Sequence, residues 1–322
     1  MLPIYETTQR VGLRCMQIEI TNACNLVCAN CTRFIGHHKK PYFMDLDMVR
    51  RAIESLEGFP GTVGIMGGEP TMHPKFHDIC KILQELVPDK KKRQLFTNGF
   101  KWDKHEAVIY ETFFKHNITY NDHKSPEGVH QPLLMAATEL VEDEEYMWEL
   151  IDDCWIQERW SASITPKGGF FCEVAAAQDM LFDGPGGYPL EKGWWKKKPE
   201  DFQDQVKRYC GNCSAAIPMP RPKASADHDL ITLSNAKRLE GNGSRRFAEG
   251  HTRSVDKKMS KEEIEANKDG WRPWEHRQFK QCTPDMMDTE VRVEYLKKET
   301  QGSEEMEEMI RQGLISKEDL TS

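Results

Sequence analysis

The chain has no apolar run near the ~20 residues that a bilayer-spanning helix needs. Its first residues, MLPIYETTQR, have neither the basic nor the apolar region of a secretion signal. An excess of positive charge is also missing. Its 44 Lys and Arg are outnumbered by 52 Asp and Glu, and the net charge of −8 argues against a general nucleic-acid surface. Only about a dozen residues precede the first strand-like run, so no separate N-terminal binding domain is expected. These absences point to a cytoplasmic protein with no membrane partner, in which ten cysteines mean metal binding rather than disulfides. With 38% hydrophobic residues, 322 residues can bury the core of one large domain plus an annex, or of two domains. The 30% charged residues and a mean hydropathy of −0.68 imply long solvated stretches as well.

One local absence says more than these. Cys24, Cys28 and Cys31, in TNACNLVCANCTRF, have the spacing C-x3-C-x2-C and no fourth cysteine close by. Closed structural metal sites take four protein ligands. A trio therefore suggests a 4Fe–4S cluster with one iron left open for a small molecule. The alternative is a site closed by Cys15, His37 or His38.

Around the trio, strands alternate with helices. Met16, Ile18 and Ile20 alternate with polar residues in a strand that runs from Cys15 to Ile20. In DLDMVRRAIESLEGF, Asp45 is the expected N-cap, and Leu46, Val49, Ile53 and Leu56 share one helical face. Lys75 to Val87 and Glu106 to His116 read as further helices, and Arg93 to Phe96 and Ile118 to Tyr120 as strands. This order predicts parallel strands with right-handed helical crossovers and ligands at the carboxyl ends of the strands. The cluster loop, Gly67-Gly68-Glu69-Pro70, Thr97-Asn98 and Asn121-Asp122-His123 all fall at such ends. The glycine pair lets backbone approach a ligand closely, with exposed backbone polar groups able to hold a charged amino group. About four strand–helix units precede a change of pattern, and Pro132 to Asp153 then reads as one long acidic helix.

A second cysteine set follows. Cys154 stands alone, Cys172 lies in PKGGFFCEVA where a Gly-Gly turn suits a hairpin, and Cys210 and Cys213 form C-x2-C. Four thiolates make a closed site for a second 4Fe–4S cluster or for zinc. Cys80 reads as helix core and Cys15 as a strand residue.

Taken together, the trio and the glycine strand end make residues 14 to 125 resemble the radical S-adenosylmethionine (SAM) superfamily. The resemblance implies that Cys24, Cys28 and Cys31 carry the cluster and that SAM occupies the fourth iron. Gly67, Gly68, Glu69 and Pro70 would then grip the methionine amino group, with Thr97 and Asn98 at the next strand end. It also implies a 5′-deoxyadenosyl radical, and a flavodoxin or ferredoxin as reductant. The superfamily has an aromatic residue just before the third cysteine; here Asn30 stands there, and Phe34 is the expected substitute. The second set resembles the Twitch module, the short form of the SPASM domain. The cysteine framework over residues 15 to 218 is similar to that of 2-deoxy-scyllo-inosamine dehydrogenases. The implied fold is α/β: a shortened radical SAM β/α barrel of parallel strands (1–150), a small auxiliary-cluster domain (151–220) and a polar C-terminal extension (221–322). The extension is expected to wrap the body, covering the open side of the barrel.

The function expected from these parts is hydrogen-atom abstraction from a small polar substrate: a sugar, aminocyclitol or nucleotide-linked sugar. The outcome would be oxidation, with the auxiliary cluster as electron acceptor, or epimerisation, with a thiol such as Cys282 returning hydrogen. Alternatives are a peptide maturase, and a metal-binding scaffold or electron-transfer module without catalysis. A scaffold has no use for an amino-group clamp. Asp122, His123, His130 and Arg159 are base candidates by position, against a reading as solvated surface. His37, His38, Lys39 and Lys40 could meet an anionic substrate or form a solvated turn. Trp194-Trp195 could be an aromatic shelf or an exposed hairpin packed on the annex. Glu304 to Leu320 reads as a surface or partner helix.

Overall fold

A computed structural model of the chain describes residues 15–122, 128–156, 161–197, 199–273 and 279–280. Strands β1 (Cys15–Thr21), β2 (Thr62–Gly67), β3 (Arg93–Thr97) and β4 (Ile118–Asn121) lie side by side in parallel. Helices α1 (Leu46–Glu54), α2 (Phe76–Leu86) and α3 (Trp102–Thr112) make the crossovers between them. All seven residues of β1 are buried, as befits the middle of the sheet. In α1 the expected cap is present: the Asp45 carboxylate accepts from Met48 N at 2.7 Å. Val49, Ala52 and Ile53 turn inward onto Ile18, Ile65 and Leu83 of one continuous core.

The sequence missed a fifth parallel strand. Strand β5 (Ser161–Thr165) pairs with the outer edge of β1, and β6 (Gly168–Phe170) returns antiparallel beside it. The sheet order is therefore β6-β5-β1-β2-β3-β4-β9, where β9 (Phe279–Lys280) runs antiparallel along β4. SASIT escaped notice because three of its five residues are small and polar. Ser163 is nonetheless fully buried, its hydroxyl donating to Glu19 Oε1 at 2.7 Å. The hairpin expected around Cys172 is β5–β6, but Cys172 itself caps helix α6 (Glu173–Leu181).

The long acidic helix expected over 132–153 is two short ones. They are α4 (Ala137–Leu140) and α5 (Glu144–Asp152). β-Branched Val141 leaves the helical path to bridge Met259, and the Asp143 side chain caps a new start by accepting from Tyr146 N at 2.9 Å. The described part of the C-terminal extension packs on the body. It brings a small parallel pair, β7 (Asp229–Ile231) with β8 (Thr252–Ser254), and helices α8 (Leu233–Gly241), α9 (Arg245–Ala248) and α10 (Lys261–Lys268). Strand β9 covers the open edge of β4. Among the described residues no helix is long and apolar enough to cross a membrane.

A buried ionic knot joins the sheet to α6. Arg33 Nη1 donates to Glu19 Oε1 at 3.0 Å and to the Glu173 carbonyl at 2.8 Å, and its Nη2 lies 3.3 Å from Glu173 Oε1. Removing the cation would strand the Glu19 carboxylate in the core. Arg33→Met should therefore destabilise the fold by about 3–5 kcal/mol, and adding Glu19→Gln should recover part of that loss in denaturant titrations.

Candidate active site

The carboxyl ends of β1, β2 and β3 converge, and one carboxylate ties them together. Glu69, fully buried, accepts at Oε1 from Thr97 Oγ1 (2.7 Å) and Thr71 Oγ1 (2.8 Å), and at Oε2 from Asn98 N (2.6 Å). Burial raises its pKa, partly offset by those donors. Asn98 passes the link on: its side-chain amide donates to Asn25 Oδ1 at 3.0 Å and points at Cys24 Sγ, 3.7 Å away. Glu69 thus ties the end of β2 to β3 and, through Asn98, to the first cysteine, with no carboxylate oxygen left over from these bonds.

The glycine pair has a specific reason. Gly67 N–H is at φ 147, and a Cβ there would lie 2.0 Å from the Thr21 carbonyl oxygen; at Gly68 it would lie 2.3 Å from that of Ala23. Gly68 N donates to Thr21 O at 2.8 Å and Glu69 N to Ala23 O at 2.7 Å. The two strand ends are pressed together just before Cys24. Those N–H groups are used within the fold, so an ammonium group arriving here would meet carbonyl oxygens, the acceptors it requires. Pro70 starts the short 3-10 turn behind Glu69.

Cys28 and Cys31 line a cavity of about 250 Å³ together with Phe34, His37, Asp229 and Arg246. Cys24 lies on the Asn98 side, where its sulfur accepts from Leu26 N at 3.4 Å. Burial pushes the Cys24 and Cys28 thiols up to about 12 and raises Cys31, and the neighbouring cysteines of the trio add to the rise at Cys24 and Cys28. Cys15 cannot close this site, because it starts β1 about 20 Å from the loop at a rise of ~3.3 Å per residue; its sulfur packs over Gly64. His37 is not the solvated residue expected. It is buried, with Nδ1 2.7 Å from Ser244 Oγ and Nε2 3.0 Å from Asp229 Oδ2. His38 is half-buried, and burial lowers its pKa to about 4. Phe34 is buried behind Cys28 and Cys31.

The second set assembles from three separate segments. Cys154 follows α5, Cys172 caps α6, and Cys210 and Cys213 flank the turn after helix α7 (Gln203–Tyr209). All four line one cavity of about 400 Å³ with Phe171, Gln178 and Ala215. Backbone N–H groups already face two of the sulfurs, Val174 N to Cys172 Sγ at 3.4 Å and Ala215 N to Cys213 Sγ at 3.3 Å. Burial again raises the thiols of Cys172 (to about 12), Cys210 and Cys213, with Cys154 adding to each. Among the described residues, no three His, Cys, Asp or Glu side chains converge on a single-ion site.

Other expected residues fall elsewhere. Asp122 follows the last residue of β4 and is buried, and His130 is buried with Nδ1 2.8 Å from the Ala29 carbonyl; neither is solvated surface. His123, Arg159, Cys282 and 304–320 lie outside the described residues. Cys80 is core, as expected. Trp194 is neither shelf nor exposed hairpin: it is buried over Gly169, its Nε1 donating to Ser55 Oγ at 3.2 Å, while Trp195 packs edge-on against Phe59. Arg33, Asp229, Arg246 and Gln178 were missed. Arg33 sits two residues beyond the trio, a position that could have drawn notice; the others carry no local signal.

Gly68→Ala should lower the melting temperature and the iron held at the trio together, since the new methyl meets backbone rather than a movable side chain. The raised thiols also fix a pH dependence. A raised thiol pKa keeps the proton on sulfur at neutral pH, so metal must displace it, and metal uptake should strengthen as pH rises from 7 to 9 with measurable proton release. Iodoacetamide should alkylate the metal-free trio at pH 8 about tenfold or more slowly than free cysteine.

A search of the curated proteins finds no significant match to this sequence. Among solved structures, BtrN in complex with AdoMet and 2-DOIA aligns at 14% identity and a TM-score of 0.40, over 62% of this chain and 92% of that one. BtrN in an open conformation aligns at 17% identity and a TM-score of 0.38, over 62% and 86%. Residues 18–119 match the model of the radical SAM superfamily, a span that contains the three cysteines, the glycine strand end and Asn98. That match and the convergence of those elements at one end of a parallel sheet make residues 18–119 of this chain similar to the radical SAM superfamily.

Proposed function

We propose that this enzyme oxidises a small polar substrate, of the sugar, aminocyclitol or nucleotide-linked sugar class, using two 4Fe–4S clusters. Cys24, Cys28 and Cys31 hold the first, beside SAM, and Cys154, Cys172, Cys210 and Cys213 hold the second. The observation that carries the reading is the four-cysteine cavity, assembled from residues spread over 60 positions of sequence and connected to the trio through Arg33.

Bound together, a reduced 4Fe–4S cluster and SAM supply one-electron cleavage that ends in removal of a substrate hydrogen atom and release of methionine and 5′-deoxyadenosine. The chain supplies position. Carbonyls near Gly67 and Gly68 would receive the ammonium group of SAM, Glu69 joins the ends of β2 and β3, and Asn98 steadies Cys24. After hydrogen abstraction, alcohol oxidation requires loss of one more electron and the hydroxyl proton. A cluster held by Cys154, Cys172, Cys210 and Cys213 would supply an acceptor for that electron, and Asp122, just after β4, is the group placed to take the proton. Units 1–150, 151–220 and 221–322 serve as the SAM, electron-acceptor and covering parts. A flavodoxin or ferredoxin provides the first electron, and the cytoplasm is the expected setting.

Anaerobic reconstitution should give about eight irons per chain, falling to about four when Cys154, Cys172, Cys210 and Cys213 are replaced by alanine. Four irons and one zinc would remove the second cluster. Cys24→Ala, Cys28→Ala or Cys31→Ala should abolish 5′-deoxyadenosine formation. Across a panel of aminocyclitols, sugars, nucleotide-sugars and peptides, the first three classes should stimulate that product and yield a ketone. Stimulation by peptides alone would overturn the substrate class.

A further inference from the structure

The turn between the second and third cysteines is only Ala29 and Asn30, and four of its polar atoms bond to groups outside the loop. Ala29 N donates to the Ala224 carbonyl at 2.9 Å, and the Ala29 carbonyl lies 2.8 Å from His130 Nδ1. Asn30 N donates to Asp229 Oδ1, and the Asn30 side-chain oxygen accepts from Leu230 N at 2.9 Å. Three of these four partners belong to one stretch of the C-terminal extension, about 200 residues away in sequence. Asn30 is also held at φ 51, a left-handed conformation that asparagine tolerates and a bulky aromatic resists. The absence of the superfamily's aromatic residue at this position therefore has a physical cause: the position is used to dock the extension.

The other oxygen of Asp229 holds Arg246 through its Nε and faces His37 Nε2 at 3.0 Å. Arg246 is fixed further by donating to the Asp227 carbonyl at 3.0 Å. Gly36 leaves space for it, since a Cβ there would lie 2.8 Å from Arg246 Cδ. Asp229, Arg246 and His37 line the same cavity as Cys28 and Cys31. Three thiolates concentrate negative charge in a buried place, and an unpaired Asp229 beside them would add to it; Arg246 cancels that added charge.

We propose that residues 222–246 are part of the three-cysteine site. Asp229 acts as a positioning residue that shapes the Cys28–Cys31 turn, and Arg246 as the cation that balances the Asp229 carboxylate beside the cluster held there. This rests on the trio binding a cluster. The extension is then a component of the site rather than a passive cover, and cluster loading and docking of residues 222–246 reinforce each other.

The test uses the full chain, reconstituted anaerobically with iron and sulfide, and reads the reduced-cluster EPR signal that changes when SAM is added. Asp229→Ala and Arg246→Ala should each lower that SAM-responsive signal at least fivefold while about four irons remain at the other site. Arg246→Lys should keep most of the signal. Hydrogen exchange on the unmutated chain gives an independent reading: amides of residues 224–230 should become at least tenfold better protected on cluster loading. If the unmutated chain has no SAM-responsive signal, the cluster reading itself fails. If it has the signal, and folded Asp229→Ala and Arg246→Ala variants retain it in full, the inference is overturned. Should Asp229→Ala not fold, unchanged exchange at 224–230 between metal-free and loaded chains overturns it equally.

Discussion

Arg33 carries a positive charge where water does not reach it, and the arrangement around both cysteine sets depends on keeping that charge paired. Burial alone would press the guanidinium toward neutrality, but Glu173 and Glu19 outweigh it and hold its pKa above the ordinary value. The same pairing restrains Glu19, whose pKa burial raises. Each partner sits on a different element. Arg33 follows the trio, Glu19 lies in the central strand, and Glu173 follows Cys172 at the start of α6. An unpaired charge here would cost far more than the pair gains, so the knot fixes geometry more than it adds stability. It obliges the loop of the first cysteine set and the helix of the second to take one relative position.

Glu69 applies the same logic at the strand ends. A buried carboxylate with two oxygens accepts from hydroxyls and a backbone N–H contributed by two strand ends, and only that arrangement satisfies it. The glycines before it allow β2 to lie against Thr21 and Ala23. Function at this end of the sheet therefore rests on close backbone approach rather than on mobile side chains, which suits recognition of a zwitterionic amino-acid moiety.

Much of this was legible in the sequence, and the reasons differ by element. Helices α1 and α2 announce themselves because their burial is amphipathic and periodic; Val49 and Ile53, or Ile79 and Leu83, report the buried face directly. Helix α3 starts at Trp102, four residues before the reading placed it, because Lys101 enters it in a left-handed conformation that leaves no capping signature. Strand β5 was invisible because its buried serine is satisfied by Glu19, a partner 144 residues away. The false long helix over 132–153 followed from its propensity, while Val141 answered to Met259 instead. His37 and His130 looked solvated because nothing nearby in sequence shows that Ser244, Asp229 and Ala29 enclose them.

The amino-acid sequence by itself determined the chemistry on offer: three clustered cysteines, four scattered ones, and a glycine pair at a strand end. Those depend on residue type and short spacing, which are local properties. Only the tertiary structure decided which distant groups share a cavity. Four cysteines from three segments come to line one space, Arg33 joins two cysteine sets, and Asp229 reaches back about 200 residues to Asn30. Buried polar groups must find partners wherever the packed chain brings them, and that requirement acts through space rather than along the sequence.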